Sequence, residues 1–171
     1  AATRVNADGN IEKETSNLLL QSNQFDTTWA KVNTTLTSGQ SGYDGSSDAW
    51  LIQSSNTDGR IDQGTSYGSG VRTFSVYAKA GTSGLIRLRM QGVKNSFADF
   101  DLNNGVVDFT DSDVITAEIV AEGATGWYRC SINTSDTSTK IYVYVIGASG
   151  LDILIQDAQL EQGLVARDYI E

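Results

Sequence analysis

The sequence predicts an all-β protein, a single antiparallel β-sandwich of jelly-roll type. Ten short apolar segments follow one another along the chain, separated by clusters of Gly, Ser, Asn and Asp. Many short strands divided by turn residues are typical of β-sandwiches and barrels. Apolar and polar side chains also alternate within several segments, which is the period of a half-buried strand and not of a helix.

The chain divides into a polar lead and one domain. Residues 1–16 are polar and contain a turn sequence at 6–10, so they are predicted to form a lead-in linker or arm. The domain then spans residues 17–171, a length suited to one hydrophobic core. Its predicted strands are residues 17–22, 29–36, 48–53, 71–80, 84–91, 97–102, 114–120, 127–132, 141–146 and 151–160.

In three of these strands the alternation separates an inward set of side chains from an outward set. The predicted inward sets are Phe74, Val76 and Ala78, then Ile86, Leu88 and Met90, then Tyr128, Cys130 and Ile132. The outward side chains of the second and third strands are Arg87, Arg89 and Gln91, then Trp127, Arg129 and Ser131. Cys130 is therefore expected to be a small buried side chain and not a reactive thiol.

The composition excludes several kinds of catalytic and metal site. The chain has no His and one Cys, so Ser-His-Asp and Cys-His pairs, Cys/His zinc sites and intrachain disulfides cannot form. Twenty-one Asp and Glu against 12 Lys and Arg give a net charge of −9. Such a chain repels phosphate, which disfavours nucleic acid and anionic membranes as partners.

No segment of the sequence has the length and apolar character of a membrane span, so membrane insertion is not expected. The chain begins with Ala1-Ala2-Thr3 and shows no signal-peptide pattern, so we expect a processed piece of a longer protein.

Five sequence blocks together resemble phage virion and tail carbohydrate-binding-like domains. They are NLLLQSNQFD at 17–26 followed by Trp29, FSVYAKA at 74–80, FDLNNG at 100–105, GWYRC at 126–130, and AQLEQG at 158–163 followed by Tyr169 and Ile170. The resemblance covers about residues 17–170 and implies a jelly-roll, concanavalin-like sandwich similar to carbohydrate-binding modules. It implies an extracellular or virion location, and it is compatible with an oligomer if the chain belongs to a fibre.

The resemblance also implies a structural calcium ion. In such domains a divalent ion lies between an acid that follows an N-terminal Phe and an acid on the last strand, which here are Asp26 and Asp157. Simple turn and surface functions for both acids are the alternative. One departure concerns the loop before the last strand, which is only residues 147–150 here, so a site built on a longer loop would be absent or moved.

The candidate carbohydrate site consists of outward aromatic and guanidinium side chains. Flat rings stack on the C–H faces of sugars, and guanidinium groups donate to hydroxyls or pair with carboxylates, which favours an anionic glycan. The alternatives are that the Arg residues only pair with cross-strand acids, and that the two Tyr residues face the core. The predicted contacts are Arg87, Arg89, Gln91, Trp127, Arg129, Tyr142 and Tyr144, with Trp50 and Tyr77 as further candidates.

The predicted function is a non-catalytic module that binds a polysaccharide or cell-surface glycan, within a phage virion or a secreted glycan-degrading protein. A structural virion or fibre module without glycan binding is one alternative. A sandwich-fold polysaccharide-degrading enzyme is another, but the sequence lacks the Glu-x-Asp-x-Glu strand typical of such hydrolases. The acidic turns at 44–48 and 56–59 do not match a calcium loop, although turns of this kind can rim a sugar site.

Overall fold

The computed structural model describes residues 3–5, 11–13, 16–135 and 137–170. Regular structure within these residues is entirely β. The strands are β1 (Thr3–Val5), β2 (Ile11–Lys13), β3 (Ala30–Val32), β4 (Thr34–Gln40), β5 (Ala49–Ser54), β6 (Arg60–Tyr67), β7 (Arg72–Ala80), β8 (Leu85–Gln91), β9 (Asn95–Asp101), β10 (Val106–Thr110), β11 (Thr116–Ala121), β12 (Trp127–Thr134), β13 (Ser138–Ile146) and β14 (Asp152–Gln162). A helix able to span a membrane is not found in this part of the chain.

Twelve of these strands form two six-stranded antiparallel sheets. Sheet I has the order β10-β9-β8-β13-β6-β3, and sheet II has the order β11-β12-β7-β14-β5-β4. The two sheets enclose one large apolar core, so the predicted antiparallel β-sandwich is confirmed. β1 and β2 pair with each other as a separate two-stranded sheet. The rest of the predicted lead-in arm falls outside the described residues, apart from residue 16, and its role stays a prediction.

Some strand predictions are wrong for identifiable physical reasons. Residues 17–22 form a loop, not a strand, although the Leu18 N–H donates to the Leu160 carbonyl at 2.8 Å. The segment 29–36 is two strands in different sheets, because Asn33 has a φ of +50° and turns the chain from β3 into β4. β6 and β10 have no predicted counterpart. Polar side chains occupy the inward positions of β6 after Ile61, and β10 is a short, mostly exposed edge strand.

The predicted alternation is confirmed where it was clearest. The inward side chains of β7, β8 and β13 are almost completely buried, and burial of their apolar surface helps to stabilise the sandwich. Cys130 is also buried on the inward side of β12, and burial raises the pKa of its thiol. The buried sets are Phe74, Val76 and Ala78, then Ile86, Leu88 and Met90, then Ile141, Val143 and Val145.

β14 changes phase in its middle. Its pairing with β7 is interrupted between Gln156 and Gln159 by a β-bulge, where Asp157 has a φ of +50°. Ile153 and Ile155 are buried before the bulge, and Ala158 and Leu160 are buried after it. The extra residue therefore allows both halves of a long strand to face the same core.

The tail after β14 crosses the outward side of sheet II. Asn133 Nδ2 donates to the Leu164 carbonyl at 2.7 Å, and Gln159 Oε1 accepts from the Ile170 N–H at 2.7 Å. Glu161 Oε2 accepts from the Arg167 N–H at 2.9 Å. These bonds explain why polar side chains on this side of β12 and β14 are buried.

Asn17 joins the first and last parts of the domain. Its Nδ2 donates to the carbonyls of Ala158 at 3.1 Å and Ile170 at 3.2 Å. Its Oδ1 accepts from the N–H groups of Leu19 and Leu160, both at 3.1 Å. One amide thus satisfies backbone groups from three segments of the chain.

We expect Asn17→Ala to lower the free energy of unfolding by about 2–4 kcal/mol, because four hydrogen bonds are lost and partly buried backbone groups lose their partners. The melting temperature should fall by about 5–15 °C. Differential scanning calorimetry measures both quantities. Asn56→Ala is the matched control, because exposed Asn56 accepts a single bond from the Asp58 N–H at 2.8 Å. Equal losses in the two variants would contradict the role assigned to Asn17.

Candidate functional site

The structure brings five of the seven predicted contact residues together on the outward side of sheet I. β8 and β13 are neighbours, with Arg87 opposite Tyr144 and Arg89 opposite Tyr142. Gln91 accepts a hydrogen bond from the Tyr142 hydroxyl. The two Tyr side chains alternate with buried Ile141, Val143 and Val145, so they face away from the core. We call this surface the Arg/Tyr face; its members are Arg60, Asp62, Arg87, Arg89, Gln91, Phe97, Asp99, Phe109, Lys140, Tyr142 and Tyr144.

Rings and guanidinium groups are interleaved on the Arg/Tyr face. The Tyr142 and Tyr144 rings stack with centroids 5.7 Å apart and an interplanar angle of 25°. Arg89 Cζ lies 5.1 Å from the Tyr142 ring centroid, and Arg87 Cζ lies 4.2 Å from that of Phe97. At these separations cation–π attraction favours this arrangement of the side chains.

Two aromatic members of this face were missed by the sequence reasoning. Phe97 on β9 and Phe109 on β10 stack with centroids 5.4 Å apart, and Phe109 is 48% exposed. The parity of β9 was a usable signal, since Phe97 is separated by an odd number of residues from buried Phe100. The sequence contained no such signal for Phe109, because apolar and polar residues alternate too little in β10 for this strand to be predicted.

Most cations of the Arg/Tyr face are already paired with carboxylates. Arg87 Nε and Nη2 donate to the two Asp99 oxygens at 2.6 and 2.8 Å, and Lys140 Nζ lies 2.7 Å from Asp62 Oδ1. These hydrogen bonds raise the pKa of Arg87 and of Lys140. Arg60 lies 2.5 Å from Asp58.

Arg89 differs from the other cations of the face. Its hydrogen bonds with other described residues go to neutral groups, the Tyr144 hydroxyl at 3.1 Å and Asn95 Oδ1 at 2.8 Å. Its charge is therefore not matched by a carboxylate in these bonds, and it is the guanidinium best placed to bind a ligand.

The prediction that Trp127 and Arg129 share this surface is wrong. Both lie on β12, which pairs with β7 and β11 in sheet II, so their side chains point to the opposite side of the sandwich. Trp127 is only 3% exposed and packs with Tyr77 and Ala49. Arg129 donates to Ser75 Oγ at 3.3 Å.

The two further candidates are also away from the Arg/Tyr face. Trp50 points into the core, where its ring lies 6.3 Å from that of Phe25. Tyr77 lies on sheet II and stacks on Tyr43, with centroids 3.7 Å apart and rings only 9° from parallel.

A cleft of about 1220 Å³ lies between the loop at 17–24, the end of β4 with the loop at 41–48, and the tail. Gly42 lets the second loop approach β14, because a Cβ there would lie 2.3 Å from the Gln156 side-chain oxygen. Gln156 Oε1 in turn accepts from the Tyr43 N–H at 3.1 Å. We call this site the acidic cleft; its walls include Tyr43, Tyr77, Tyr169, Asp44, Asp48, Asp157 and Asp168.

The two predicted calcium ligands have different surroundings. Asp157 is 6% exposed, and its Oδ2 accepts from the Tyr43 hydroxyl at 2.9 Å. Asp26 is exposed in the turn that follows buried Phe25. The described residues contain no group of three or more Asp, Glu, His or Cys side chains that could hold a metal. A calcium ion would therefore need carbonyl and amide oxygens as well, and the site stays a prediction.

The fold is similar to those of several solved structures, whereas no family model and no curated protein matches the sequence. A family 61 carbohydrate-binding module in complex with β-1,4-galactotriose gives a TM-score of 0.55 at 15% identity, covering 86% of this chain and 99% of that chain. A cleaved adhesin domain of Lys-gingipain gives 0.53 at 10% identity, covering 88% and 100%. The carbohydrate-binding and glycoside hydrolase modules of Clostridium thermocellum xylanase 10B, complexed with xylohexaose, give 0.51 at 16% identity, covering 84% of this chain and 28% of that chain.

The chain has the jelly-roll fold of carbohydrate-binding modules. The predicted jelly-roll sandwich is thus confirmed. At identities of this size the likeness concerns the fold alone, and function has to be argued from the site. The predicted link to phage virions stays a prediction.

Tyr43 should make the protein less stable in alkali. Burial, and after it the Asp157 carboxylate, raises the pKa of Tyr43 far above its usual value of about 10. A group whose pKa is raised by folding stabilises the protein below its unfolded-state pKa, and this stabilisation is lost as the pH rises above that value. We expect the free energy of unfolding, measured with urea, to fall between about pH 9 and about pH 11. The fall should be smaller in Tyr43→Phe, and an equal fall in both proteins would contradict this origin.

The calcium prediction is tested by thermal unfolding with and without the ion. If Asp26 and Asp157 bind calcium, saturating Ca²⁺ should raise the melting temperature of EDTA-treated protein by about 5–10 °C, because a ligand of the folded state stabilises it. The double variant Asp26→Asn with Asp157→Asn should lose this response. A melting temperature that is the same in EDTA and in Ca²⁺ would rule out the clamp.

Proposed function

We propose that this chain is a non-catalytic carbohydrate-binding module that binds an extended polysaccharide through the Arg/Tyr face. The observation that carries the proposal is the outward row of rings and guanidinium groups across neighbouring strands of sheet I. The similarity in fold to carbohydrate-binding modules supports it.

The chemistry of the face suits a sugar chain. Rings present flat apolar surface to C–H groups, and guanidinium and amide groups donate to hydroxyls. The face extends from Phe109 on β10 to Arg60 on β6, which is four strand spacings or about 19 Å. Such a shallow face binds several sugar units weakly, and repetition of the module on a particle or polymer would strengthen the binding.

The charge of the face favours an uncharged glycan. Asp99 already occupies the Arg87 fork, and Asp62 and Asp58 pair with Lys140 and Arg60. A carboxylate sugar would have to compete with these acids, so the predicted preference for an anionic glycan rests on Arg89 alone. We propose neutral polysaccharide as the main ligand class, with hydroxyl groups bound at Arg89.

On the Arg/Tyr face, the placement of carboxylates supports a binding function without catalysis. Asp62 on β6 and Asp99 on β9 are three strand spacings apart, or about 14 Å. Glycoside hydrolysis needs a pair of carboxyl groups no more than about 10 Å apart. Each of these two acids also has a cationic partner, Arg87 for Asp99 and Lys140 for Asp62.

The setting that fits this function is extracellular. A polysaccharide-binding module acts where glycans are exposed, and either a secreted glycan-degrading protein or a virion fibre would carry such a module. The charge of −9 fits the absence of a nucleic-acid function in this proposal.

Affinity gel electrophoresis tests the proposal. The ligand panel contains galactan and xylan as neutral polysaccharides and a polyuronate as an anionic one. We expect retardation of the wild type by at least one neutral polysaccharide, and a loss of at least tenfold in affinity (about 1.4 kcal/mol) in the double variant Arg89→Ala with Tyr144→Ala. Neither change leaves a buried carboxylate unpaired, whereas Arg87→Ala would strand Asp99.

Arg129→Ala is the matched control, because it removes the same kind of side chain from the other side of the sandwich. It should bind as the wild type does. Loss of binding in Arg129→Ala but not in the double variant would move the site to sheet II. A folded wild type that no polysaccharide retards would favour a structural module, and release of reducing ends from the polymer would favour an enzyme.

A further inference from the structure

We propose that the acidic cleft is a second ligand site, separate from the Arg/Tyr face, and that it binds a protonated amino sugar. The cleft lies beside sheet II, whereas the Arg/Tyr face is the outward side of sheet I. At about 1220 Å³ it exceeds the 300–1,000 Å³ or so of a typical small-molecule pocket. It therefore has room for more than one sugar ring.

Asp157 is built into the wall of this cleft in a strained conformation. It occupies the β-bulge of β14 with a φ of +50°, which costs free energy for a residue other than Gly. Its N–H donates to Asn23 Oδ1 at 3.1 Å, and its carboxylate accepts from the Tyr43 hydroxyl at 2.9 Å. The carboxylate is thus oriented in advance at a nearly buried position.

A second pair of acids is aligned by one buried amide. Gln156 is fully buried, and its Nε2 donates to Asp44 Oδ1 at 3.2 Å and to Asp48 Oδ1 at 2.8 Å. One oxygen of each carboxylate is fixed in this way on the side of the loop at 41–48. Such fixed acceptors can receive hydrogen bonds from a ligand without further loss of side-chain entropy.

Aromatic rings complete the walls. Tyr43 stacks on Tyr77, and its ring lies 6.3 Å from that of Trp127 at an angle of 62°, so it is fixed from two sides. Tyr169 on the tail is anchored by a hydrogen bond with Ser22 at 2.5 Å. Flat rings beside carboxylates suit a sugar ring that carries a cation. The aromatic rings can pack on the C–H face of the sugar, and the carboxylates can pair with its cationic group.

The charge of the cleft selects the ligand class. Four Asp residues line it, and none of the described residues that line it is Lys or Arg. Carboxylates accept charge-assisted hydrogen bonds from an ammonium group and repel uronates and phosphates. A sugar with a free amine satisfies the charge, the rings and the size together, whereas its N-acetylated form lacks the cation.

Isothermal titration calorimetry at about pH 5.5, where the sugar amine is protonated, tests this site. The probes are the glucosamine tetramer and the N-acetylglucosamine tetramer. We expect the wild type to bind the glucosamine tetramer at least tenfold more tightly than the acetylated one. The double variant Asp48→Asn with Asp157→Asn should lose at least tenfold in affinity for the glucosamine tetramer. Asn keeps the shape of Asp and tolerates the positive φ of residue 157, so this variant should fold.

The matched control is Asp108→Asn with Glu118→Gln, which removes the same charge from exposed positions on β10 and β11. It should bind the glucosamine tetramer as the wild type does, and so should Arg89→Ala with Tyr144→Ala. Retained binding in the cleft variant, equal binding of the acetylated tetramer, or loss in the Arg/Tyr variant would each overturn the proposal. The proposal for the Arg/Tyr face is tested separately, by affinity gel electrophoresis with neutral polysaccharides.

Discussion

The β-bulge in the middle of β14 is the constraint on which the rest of the structure depends. Without an extra residue, one half of this central strand would turn its apolar side chains out of the core. The bulge keeps Ile153 and Ile155 on the same side as Ala158 and Leu160, and Phe74 on β7 pairs with the second half. The same residue that corrects the phase, Asp157, then projects beside Tyr43. Packing of the core and the shape of the acidic cleft are therefore set by one local irregularity.

The sandwich separates two surfaces with different chemistry. Sheet I leaves a broad outward side, on which paired charges and rings form a shallow and nearly neutral platform. Sheet II carries its tail across the outward side, so polar groups such as Gln159 and Glu161 are buried beneath backbone. The acidic cleft opens at the end of this side that lies beside the loop at 41–48. The two ligands proposed above differ in charge and would bind on different sides of the sandwich, so they would not compete.

The sequence predicted the inward and outward side chains of a strand far better than it predicted strand neighbours. Alternation correctly predicted that Arg89 on β8 and Tyr144 on β13 point outward. That β8 and β13 are hydrogen-bonded neighbours could not be predicted from this pattern. The same reasoning placed Trp127 outward, but no local pattern states that β12 belongs to the other sheet. β6 was not predicted because a polar residue, Gln63, occupies an inward position and breaks the apolar alternation. Its side-chain amide is satisfied there by hydrogen bonds with the backbone N–H and carbonyl of Leu20. The acidic cleft depends on a bulge, a loop and a tail that meet only after folding.

The bonds of Asn17 bring the two ends of the domain within one side chain's reach. Its amide touches both the start of the sandwich and the carbonyl of Ile170, so the chain enters and leaves at nearly the same point. A domain whose two ends lie close together can be inserted into a loop of a larger polypeptide without distorting that loop. A pulling force along such a polypeptide would then act on the hydrogen bonds of Asn17, which join the two ends of the domain. It would not act along the strands of the two sheets.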